Sequence, residues 1–329
     1  MTSGGSASHP FPKAIWMATN ARALPSMSPQ FIDRLAQKLS PYRSKLGMPE
    51  QHRQVALEVL RENSLVADGT ALFLVEKKFI LHLSPTSFPD VAAAEVLAMQ
   101  AAKAGLGPKL GSVILDVTLS GELDGRSFMA LPRCRPMSNN KLVRAWQRRA
   151  VRPVALRWLR GVVELAEPPS TPAADKFLAA LDHLAWMDAI PCQIRSAAKV
   201  SMAKISAKEA TPRFVPMHGD FWAGNILSSR HEPMIVIDWR GSLMEGFAIY
   251  DLIRFAVSLN LRPAVLRTEL AYHASSLGAS EQDTMIFLLA ALGHFSANLG
   301  EFPVVSFRQM AIEAFSMLAA AVADQGGAL

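Results

Sequence analysis

Three oxygen-bearing side chains lie within nineteen residues of one another in the middle of the chain. Asp220 is followed five positions later by Asn225, and Asp238 ends a short apolar run. Phosphoryl transfer from a nucleoside triphosphate needs a carboxylate to orient the attacking hydroxyl and oxygen ligands to hold Mg²⁺ against the phosphates. This short stretch has the residue types for both tasks.

The segments around these residues predict a β-hairpin that would bring them together. Residues 214–217 are typical of a strand that enters the loop before Asp220, and residues 228–233 are typical of a turn. Residues 234–237 then form a second predicted strand. We therefore expect Asp238 to arrive at the same end of the hairpin as Asn225.

Three motifs in this region point to a known family. Residues 218–225 read H-G-D-x-x-x-x-N, residues 237–239 read I-D-W, and residues 246–252 fit G-x-x-x-x-D-L. On these motifs, over residues 214–255, the chain resembles the aminoglycoside phosphotransferase and choline kinase-like family. The resemblance implies a two-lobed, protein-kinase-like α+β fold with a small β-rich N-lobe and a larger, mostly helical C-lobe. It also implies ATP- and Mg-dependent transfer of the γ-phosphate to a hydroxyl of a small molecule.

The same resemblance assigns roles to individual residues. Asp220 would be the catalytic base, and Asn225 and Asp238 would hold Mg²⁺. Asp251 would brace the catalytic loop from below, and the ring of His218 would fix the loop backbone. The alternative is an ordinary hairpin with acidic ends, because Asp and Asn are common turn residues. The three positions together favour the functional interpretation.

The N-terminal third has the pattern of a kinase small lobe. We expect a helix at residues 29–39, then three strands and a second helix that stops at Gly105, and finally a hairpin around Gly121 to Gly125. The predicted strands are 55–60, 71–75, 78–83, 112–119 and 127–131, and the second helix is 90–104. These elements predict a flexible tail at 1–28, an N-lobe at 29–131 and a C-lobe at 132–329.

The nucleotide contacts implied by the resemblance are less complete than the catalytic motif. His82 stands where the family often has a phosphate-contacting Lys, and Glu95 is placed as the helix partner of that position. Ala130 and Leu131 belong to the segment expected to meet the adenine. Either a partly protonated His82 does a weaker version of the Lys task, or it is a simple strand residue and the alignment is shifted. The polar loop 61–70 lacks G-x-G-x-x-G, so a catalytically impaired pseudokinase that binds nucleotide is the alternative function.

Composition sets limits on the kind of protein. With 329 residues, half of them hydrophobic, the chain can bury a large core. Two cysteines far apart in sequence argue against a disulfide framework and suit a reducing cytosol. No apolar stretch was expected to span a membrane, and residues 1–10 do not resemble a signal peptide. We therefore predict a cytoplasmic protein.

Charge gives weaker information about partners. The net charge is +6, and the densest basic run interleaves arginines with Trp146 and Trp158; its arginines are Arg144, Arg148, Arg149, Arg152, Arg157 and Arg160. A nucleic-acid or membrane-surface face is one interpretation. Helices with solvated Arg and buried Trp are the favoured one, so nucleic acid is not expected as a partner. The expected partner is a small-molecule hydroxyl acceptor, whose identity the scattered acidic residues after position 260 do not select.

Overall fold

The structure, a computed structural model, describes residues 28–47, 55–61, 69–229, 232, 234–300 and 302–323. Packing divides the chain into two compact units. Unit 1 comprises Met1–Ala92 and Thr118–Ala130, and unit 2 comprises Ala93–Val117 and Leu131–Leu329. The predicted lobe division at residue 131 assigned the whole of 29–131 to one lobe, whereas Ala93–Val117 packs with unit 2. The predicted tail lies outside the described residues except for Ser28.

Unit 1 contains an antiparallel five-stranded sheet. Its strands in chain order are β1 Leu57–Arg61, β2 Ala71–Val75, β3 Phe79–Leu83, β4 Leu119–Leu123 and β5 Arg126–Pro132. The spatial order is β1-β2-β3-β5-β4. The predicted sequence of three strands, a helix and two strands is confirmed. The predicted loop 61–70 falls mostly outside the described residues.

One face of this sheet forms the core of unit 1. Phe73 lies opposite Leu81, and both side chains are fully buried. Because side chains alternate along a strand, His82 and its cross-strand neighbour Leu72 lie on the other face. Helix α1, Pro29–Leu39, contributes Leu35 and Leu39 to the same core, and Ser28 caps its N-terminus by accepting a bond from the Phe31 amide.

The hairpin of β4 and β5 differs from the prediction. Its two-residue turn is Asp124-Gly125, with φ values of 48° and 70°, the left-handed pair that a type I′ turn requires. The pairing of Leu123 with Arg126 places Gly121 inside β4 rather than in the turn. The predicted strand 112–119 was also wrong at its start. Gly111–Val113 form a short 3₁₀ turn, and β4 begins only at Leu119.

Helix α2, Val91–Leu110, runs past the predicted stop at Gly105. The break comes at Gly107, whose φ of 69° and ψ of 178° are not helical and which Pro108 follows. Gly105 instead allows a close approach, since a Cβ there would lie 2.5 Å from Sδ of Met244. A glycine near a helix end marked the right region but the wrong residue.

Unit 2 is mostly helical, as predicted. Its further helices are α3 Lys141–Val163, α4 Thr171–Trp186, α5 Cys192–Ser206, α6 Tyr250–Leu259, α7 Pro263–Leu277, α8 Thr284–Ala297 and α9 Val304–Ala323. Its strands are β6 Phe214–Met217, β7 Ile226–Leu227, β8 Ile235–Val236 and β9 Leu243–Phe247. Helix α8 is buried along almost its whole length against α4 and other helices.

Two features of unit 2 were not predicted. Strand β9 pairs antiparallel with β6, with Phe214 opposite Phe247, although its Glu245 and Gly246 do not suggest a strand. In α3, Trp158 is buried but Trp146 is 71% exposed, so the expected burial of both tryptophans was wrong for Trp146. The pairing with β6, rather than local propensity, makes β9 a strand.

Helix α9 is the one described helix that is long and apolar enough to cross a membrane by length and composition. It packs against α6, α7 and α8 and buries Phe307, Ala311 and Leu318 completely. A helix that contributes such a face to a protein core passes the same test. The buried face of α9 comprises five of its 20 residues, and the packing against α6, α7 and α8 accounts for that face.

Candidate active site

The loop that follows β6 is held by one buried carboxylate. Asp251 accepts hydrogen bonds from the His218 amide at 2.6 Å and from the Gly219 amide at 3.0 Å. Burial raises the pKa of Asp251 to about 6, although both amide donors oppose that rise. Gly219 has a φ of 87°, and a Cβ there would lie 2.6 Å from the Gly241 carbonyl oxygen. Only glycine therefore fits this position without displacing backbone.

His218 connects the loop to the second strand of the hairpin. Its Nε2 lies 3.0 Å from the Ile237 carbonyl oxygen, and its Nδ1 accepts from the Asp220 amide at 3.2 Å. These partners require the proton on Nε2. Burial lowers the pKa of His218 to about 4, although the Asp220 charge opposes that change. The ring is thus neutral at pH 7 and spans the two segments that carry Asp220 and Asp238.

Asp220 and Asn225 are brought into direct contact. The Asn225 side-chain amide donates to Oδ2 and to the carbonyl oxygen of Asp220, both at 3.0 Å. The Asp220 side chain remains 42% exposed, so its carboxylate can be approached from solvent. Because the Asn225 nitrogen is committed to Asp220, metal ligation by Asn225 would fall to its Oδ1.

Arg254 is a residue of this site that the sequence analysis missed. Its Nη2 donates to Oδ1 of Asp220 at 2.5 Å. Nearby negative groups, Asp220 among them, raise the pKa of Arg254 although burial opposes that rise. Ser258, one turn further along α6, accepts from the Ala223 amide at 3.1 Å.

The spacing on α6 was the available signal for Arg254. Asp251, Arg254 and Ser258 are related by i, i+3 and i+7, which places them on one face of a helix. All three contact the segment from His218 to Ala223. The G-x-x-x-x-D-L motif could therefore have been extended along the helix to find Arg254.

Asp238 lies at the end of β8, beside the carboxylate of Glu95. Ile226 pairs with Val236, and the Ile237 amide donates to the Asn225 carbonyl oxygen at 3.1 Å, so the hairpin brings Asp238 beside the Asn225 end. Asp238 is exposed and has a left-handed φ of 69°. Glu95 accepts from the amides of the next two residues, Trp239 at 2.7 Å and Arg240 at 2.8 Å.

Glu95 therefore fixes the backbone immediately after Asp238. Burial and, secondly, the negative charge of Asp238 raise the pKa of Glu95 to about 7. The sequence analysis had expected Glu95 on this helix as the partner of a strand residue. The hydrogen bonds of Glu95 join it to the segment that carries Asp238.

Aromatic rings support the loop from within unit 2. Phe221 stacks on Trp158 with ring centroids 5.0 Å apart, and Trp239 meets His218 edge to face at 4.6 Å. Phe221 and Trp239 are both completely buried. These contacts place the loop against the core, while the side chain of Asp220 stays partly exposed and Asp238 is exposed.

The donor set fits a hard divalent cation. Carboxylate and amide oxygens are the ligands that Mg²⁺ takes, and it commonly uses only one or two protein side chains with substrate phosphates completing its shell. Within the described ranges no cluster of three or more His, Cys, Asp or Glu side chains could hold a metal alone. Asn225 and Asp238 therefore fit a site in which substrate phosphates supply the other ligands of Mg²⁺.

Of the remaining predicted nucleotide residues, His82 and Ala130 belong to unit 1 and Leu131 belongs to unit 2. His82 is half-buried on β3, and burial together with the positive charge of Arg61 lowers its pKa to about 4. With this lowered pKa, the His82 ring is neutral at pH 7. Ala130 and Leu131 are adjacent buried residues of β5. Their part in nucleotide binding stays a prediction.

The fold is shared with solved phosphotransferases. The GDP complex of wild-type aminoglycoside 2'-phosphotransferase-IIIa is 16% identical, with a TM-score of 0.50, and the match covers 87% of this chain and 98% of that one. A thermostable mutant of aminoglycoside phosphotransferase APH(4)-Ia, in a ternary complex with AMP-PNP and hygromycin B, is 13% identical with a TM-score of 0.51; 85% of this chain and 98% of that chain are covered. The chain has no match among curated protein sequences.

Fold and site together define a small-molecule phosphotransferase with a kinase-like architecture. A family model described as the phosphotransferase enzyme family matches residues 66–280. The chain belongs to that family, and the match includes the loop, the hairpin and helix α6.

Proposed function

We propose that the protein transfers the γ-phosphate of ATP to a hydroxyl of a small molecule in a Mg²⁺-dependent reaction, with Asp220 as the catalytic base. The observation that carries this proposal is the contact between Asp220 and Asn225 on a loop fixed by Asp251 and His218. Such bracing limits the movement of the base relative to the acceptor. Precise positioning is the main contribution of a protein to phosphoryl transfer.

Each residue has a specific part in this reaction. An exposed oxygen of Asp220 accepts the hydrogen bond of the acceptor hydroxyl and orients its oxygen for in-line attack on the γ-phosphorus. As the new P–O bond forms, the bond from the γ-phosphorus to the bridging oxygen breaks, ADP leaves and Asp220 takes the hydroxyl proton. Asn225 Oδ1 and Asp238 would hold Mg²⁺, which would supply positive charge to neutralise the phosphates. Glu95 holds Asp238 in place through the following amides.

The charge at the base bears on the acceptor. Arg254 places a positive guanidinium directly on Asp220. A polycationic acceptor would meet this charge at the reacting hydroxyl, so the local electrostatics favour a neutral or anionic acceptor. Membership of a family with aminoglycoside enzymes is therefore not a reason to assign an antibiotic as the substrate.

The test is an acceptor screen with γ-labelled ATP and GTP, run on the wild type and on Asp220→Asn. The panel should include sugars, amino alcohols, hydroxy acids, aminoglycosides and macrolides. Asp220→Asn should lower the rate of label transfer by a factor of about 10² or more, because the amide cannot take the proton. Asp175→Asn, an exposed change on α4, is the matched control and should keep wild-type turnover. Unchanged turnover in Asp220→Asn would contradict the role of Asp220.

The second candidate is a pseudokinase that binds nucleotide without transfer. Two observations favour it: both oxygens of Asp220 already have hydrogen-bond partners, and the low pKa of His82 removes its charge at pH 7. Thermal melts with ATP, with and without Mg²⁺, separate the candidates. At 100 times its Kd, MgATP should stabilise an active enzyme by about 2.7 kcal/mol. Stabilisation that is independent of metal and absence of transfer across the panel would support the pseudokinase.

A further inference from the structure

The first three turns of α3 form an exposed helical surface that the proposed reaction does not use. Residues buried in the core begin only at Ala155. Before that point, Leu142 is 82% exposed, Val143 45% and Trp146 71%. Large apolar side chains with this exposure are costly to leave in water, so they mark an interaction surface. We define residues 141–153 as the basic helix segment.

Apolar and basic residues lie beside one another on this segment. Leu142 and Trp146 are four positions apart and share one face. Arg144, Arg148 and Arg152 repeat every fourth position and form a row that lies ~160°, ~120° and ~80° around the helix from Leu142, whereas Arg149 lies only ~20° from Leu142 at ~100° per residue. Basic side chains therefore surround the exposed apolar residues, and none of the residues of the segment is buried in the core.

The basic row is not explained by partners within the protein. Between Asp124 and Glu164 there is no acidic residue, whereas ten of the 34 Lys and Arg of the chain fall there. Among the residues that the structure describes, Arg144, Arg148, Arg149 and Arg152 form no ion pair. Burial and then the charge of Arg144 lower the pKa of Arg148. Like charges one turn apart destabilise an isolated helix, so this row costs stability unless an anionic partner meets it.

We propose that the basic helix segment docks on the surface of an anionic lipid bilayer. Leu142, Val143 and Trp146 enter the boundary between headgroups and acyl chains, and the arginines beside them, Arg149 first, contact lipid phosphates. A basic face beside exposed Trp and Leu is the composition of helices that lie in a membrane interface. A nucleic-acid backbone would use the arginines but would leave Leu142 and Val143 without a partner. An anionic lipid surface offers acyl chains to the apolar residues and phosphates to the arginines.

The test is co-sedimentation of the full chain with vesicles of phosphatidylcholine, alone or with 30% phosphatidylserine. We expect binding to the anionic vesicles that weakens with salt, and little binding to the neutral ones. Arg148→Gln with Arg149→Gln should lower the partition coefficient by roughly 25-fold, at about fivefold per charge near the surface. Arg262→Gln with Arg308→Gln, two exposed arginines elsewhere in unit 2, is the matched control and should change it less than twofold.

The apolar contribution has its own matched pair. Trp146→Ala should lower anionic vesicle binding by about tenfold, on the basis of one buried aromatic side chain. Trp186→Ala, which removes a tryptophan that is 68% exposed on α4, should leave binding unchanged. Phosphate transfer or, without a known acceptor, MgATP-induced stabilisation should be the same in all four variants.

Three results would overturn the proposal. One is equal binding, or none, to neutral and anionic vesicles. A second is preferential binding to duplex DNA or RNA that Trp146→Ala does not weaken, which would assign the arginines to nucleic acid. The third is a dimer in solution that Trp146→Ala dissociates, which would assign the apolar side to a second copy of the chain.

Discussion

At the residue scale, the candidate site is a set of contacts made by few atoms. Asp220 uses one oxygen for Asn225 and the other for Arg254, while Asp251 and His218 hold the backbone beneath it. The motif H-G-D-x-x-x-x-N contains three of these residues, His218, Asp220 and Asn225, at a fixed spacing. Arg254 adds a charge that no motif position required.

Replacement of Arg254 tests whether it positions the base. Arg254→Gln removes the ion pair and should lower kcat by roughly 10–100-fold, since a small displacement of a reacting group has an effect of this size. KM for ATP should change little, because Arg254 contacts the base rather than a predicted nucleotide residue. Arg254→Lys should restore part of the rate. The measurement is steady-state kinetics with the acceptor from the screen.

Arg262→Gln, an exposed change at the start of α7, is the control for the loss of one positive charge. If Arg254→Gln and Arg262→Gln have the same kcat as the wild type, Arg254 has no part in placing Asp220. If Arg254→Gln raises the rate instead, the ion pair restrains the base in an unproductive state.

At the element scale, helix α6 contacts the loop that carries Asp220, and helices α4 and α8 pack closely in unit 2. One face of α6 contacts the catalytic loop at three points, through Asp251, Arg254 and Ser258. Helix α8 lies against α4 so closely that a Cβ at Gly293 would be 1.9 Å from the Ala180 carbonyl oxygen. Backbone contact at this distance cannot be relieved by a rotamer change.

Gly293→Ala should therefore destabilise the protein by about 3 kcal/mol or more, because the two helices must move apart. Chemical denaturation monitored by circular dichroism measures the change. Gly241→Ala is the matched control, since no atom lies within 4 Å of a Cβ there and its φ is not left-handed. Equal stability of the two variants would show that α4 and α8 can separate at little cost.

At the scale of the whole molecule, charge is distributed unevenly. All ten charged residues between Asp124 and Glu164 are Lys or Arg. The rest of the chain therefore has 24 Lys and Arg against 28 Asp and Glu. The buried ionisable groups also oppose one another. Acidification should favour the fold through Glu95 and Asp251, whose pKa values are raised, and disfavour it through His82 and His218, whose pKa values are lowered.

His218 gives a pH-dependent prediction with a definite sign. Its pKa falls from 6.5 to about 4 in the folded protein, so its stabilisation is fully present above pH 6.5 and is lost as the pH falls towards 4. The stability deficit of His218→Gln relative to the wild type should therefore shrink by about 3 kcal/mol between pH 7 and pH 4. Urea unfolding at both pH values measures it.

The control for this experiment is His183→Gln, an exposed change on α4. Its stability relative to the wild type is measured at the same two pH values, which shows the effect of losing an exposed imidazole. A deficit of His218→Gln that is equal at pH 7 and pH 4 would mean that His218 titrates normally in the fold.

Local signals in the sequence determined much of this protein. Residues 29–39 and 71–75 form the predicted helix and strand because their apolar spacing and end residues act over a few positions. The fixed spacing of Asp220, Asn225 and Asp238 likewise predicted a hairpin between them and a family resemblance, and the strand pairing and the family match confirm these two predictions. Features that depend on residues close together in the sequence can be predicted from a single segment.

Only the tertiary structure decided what depends on distant partners. Strand β9 exists because β6 lies beside it, Glu95 reaches amides 144 and 145 positions away, and Arg254 meets Asp220 across 34 positions. Trp146 is exposed because α3 extends beyond the elements that cover its second half. Such contacts depend on how elements pack, and propensity within a segment carries no record of its neighbours in space.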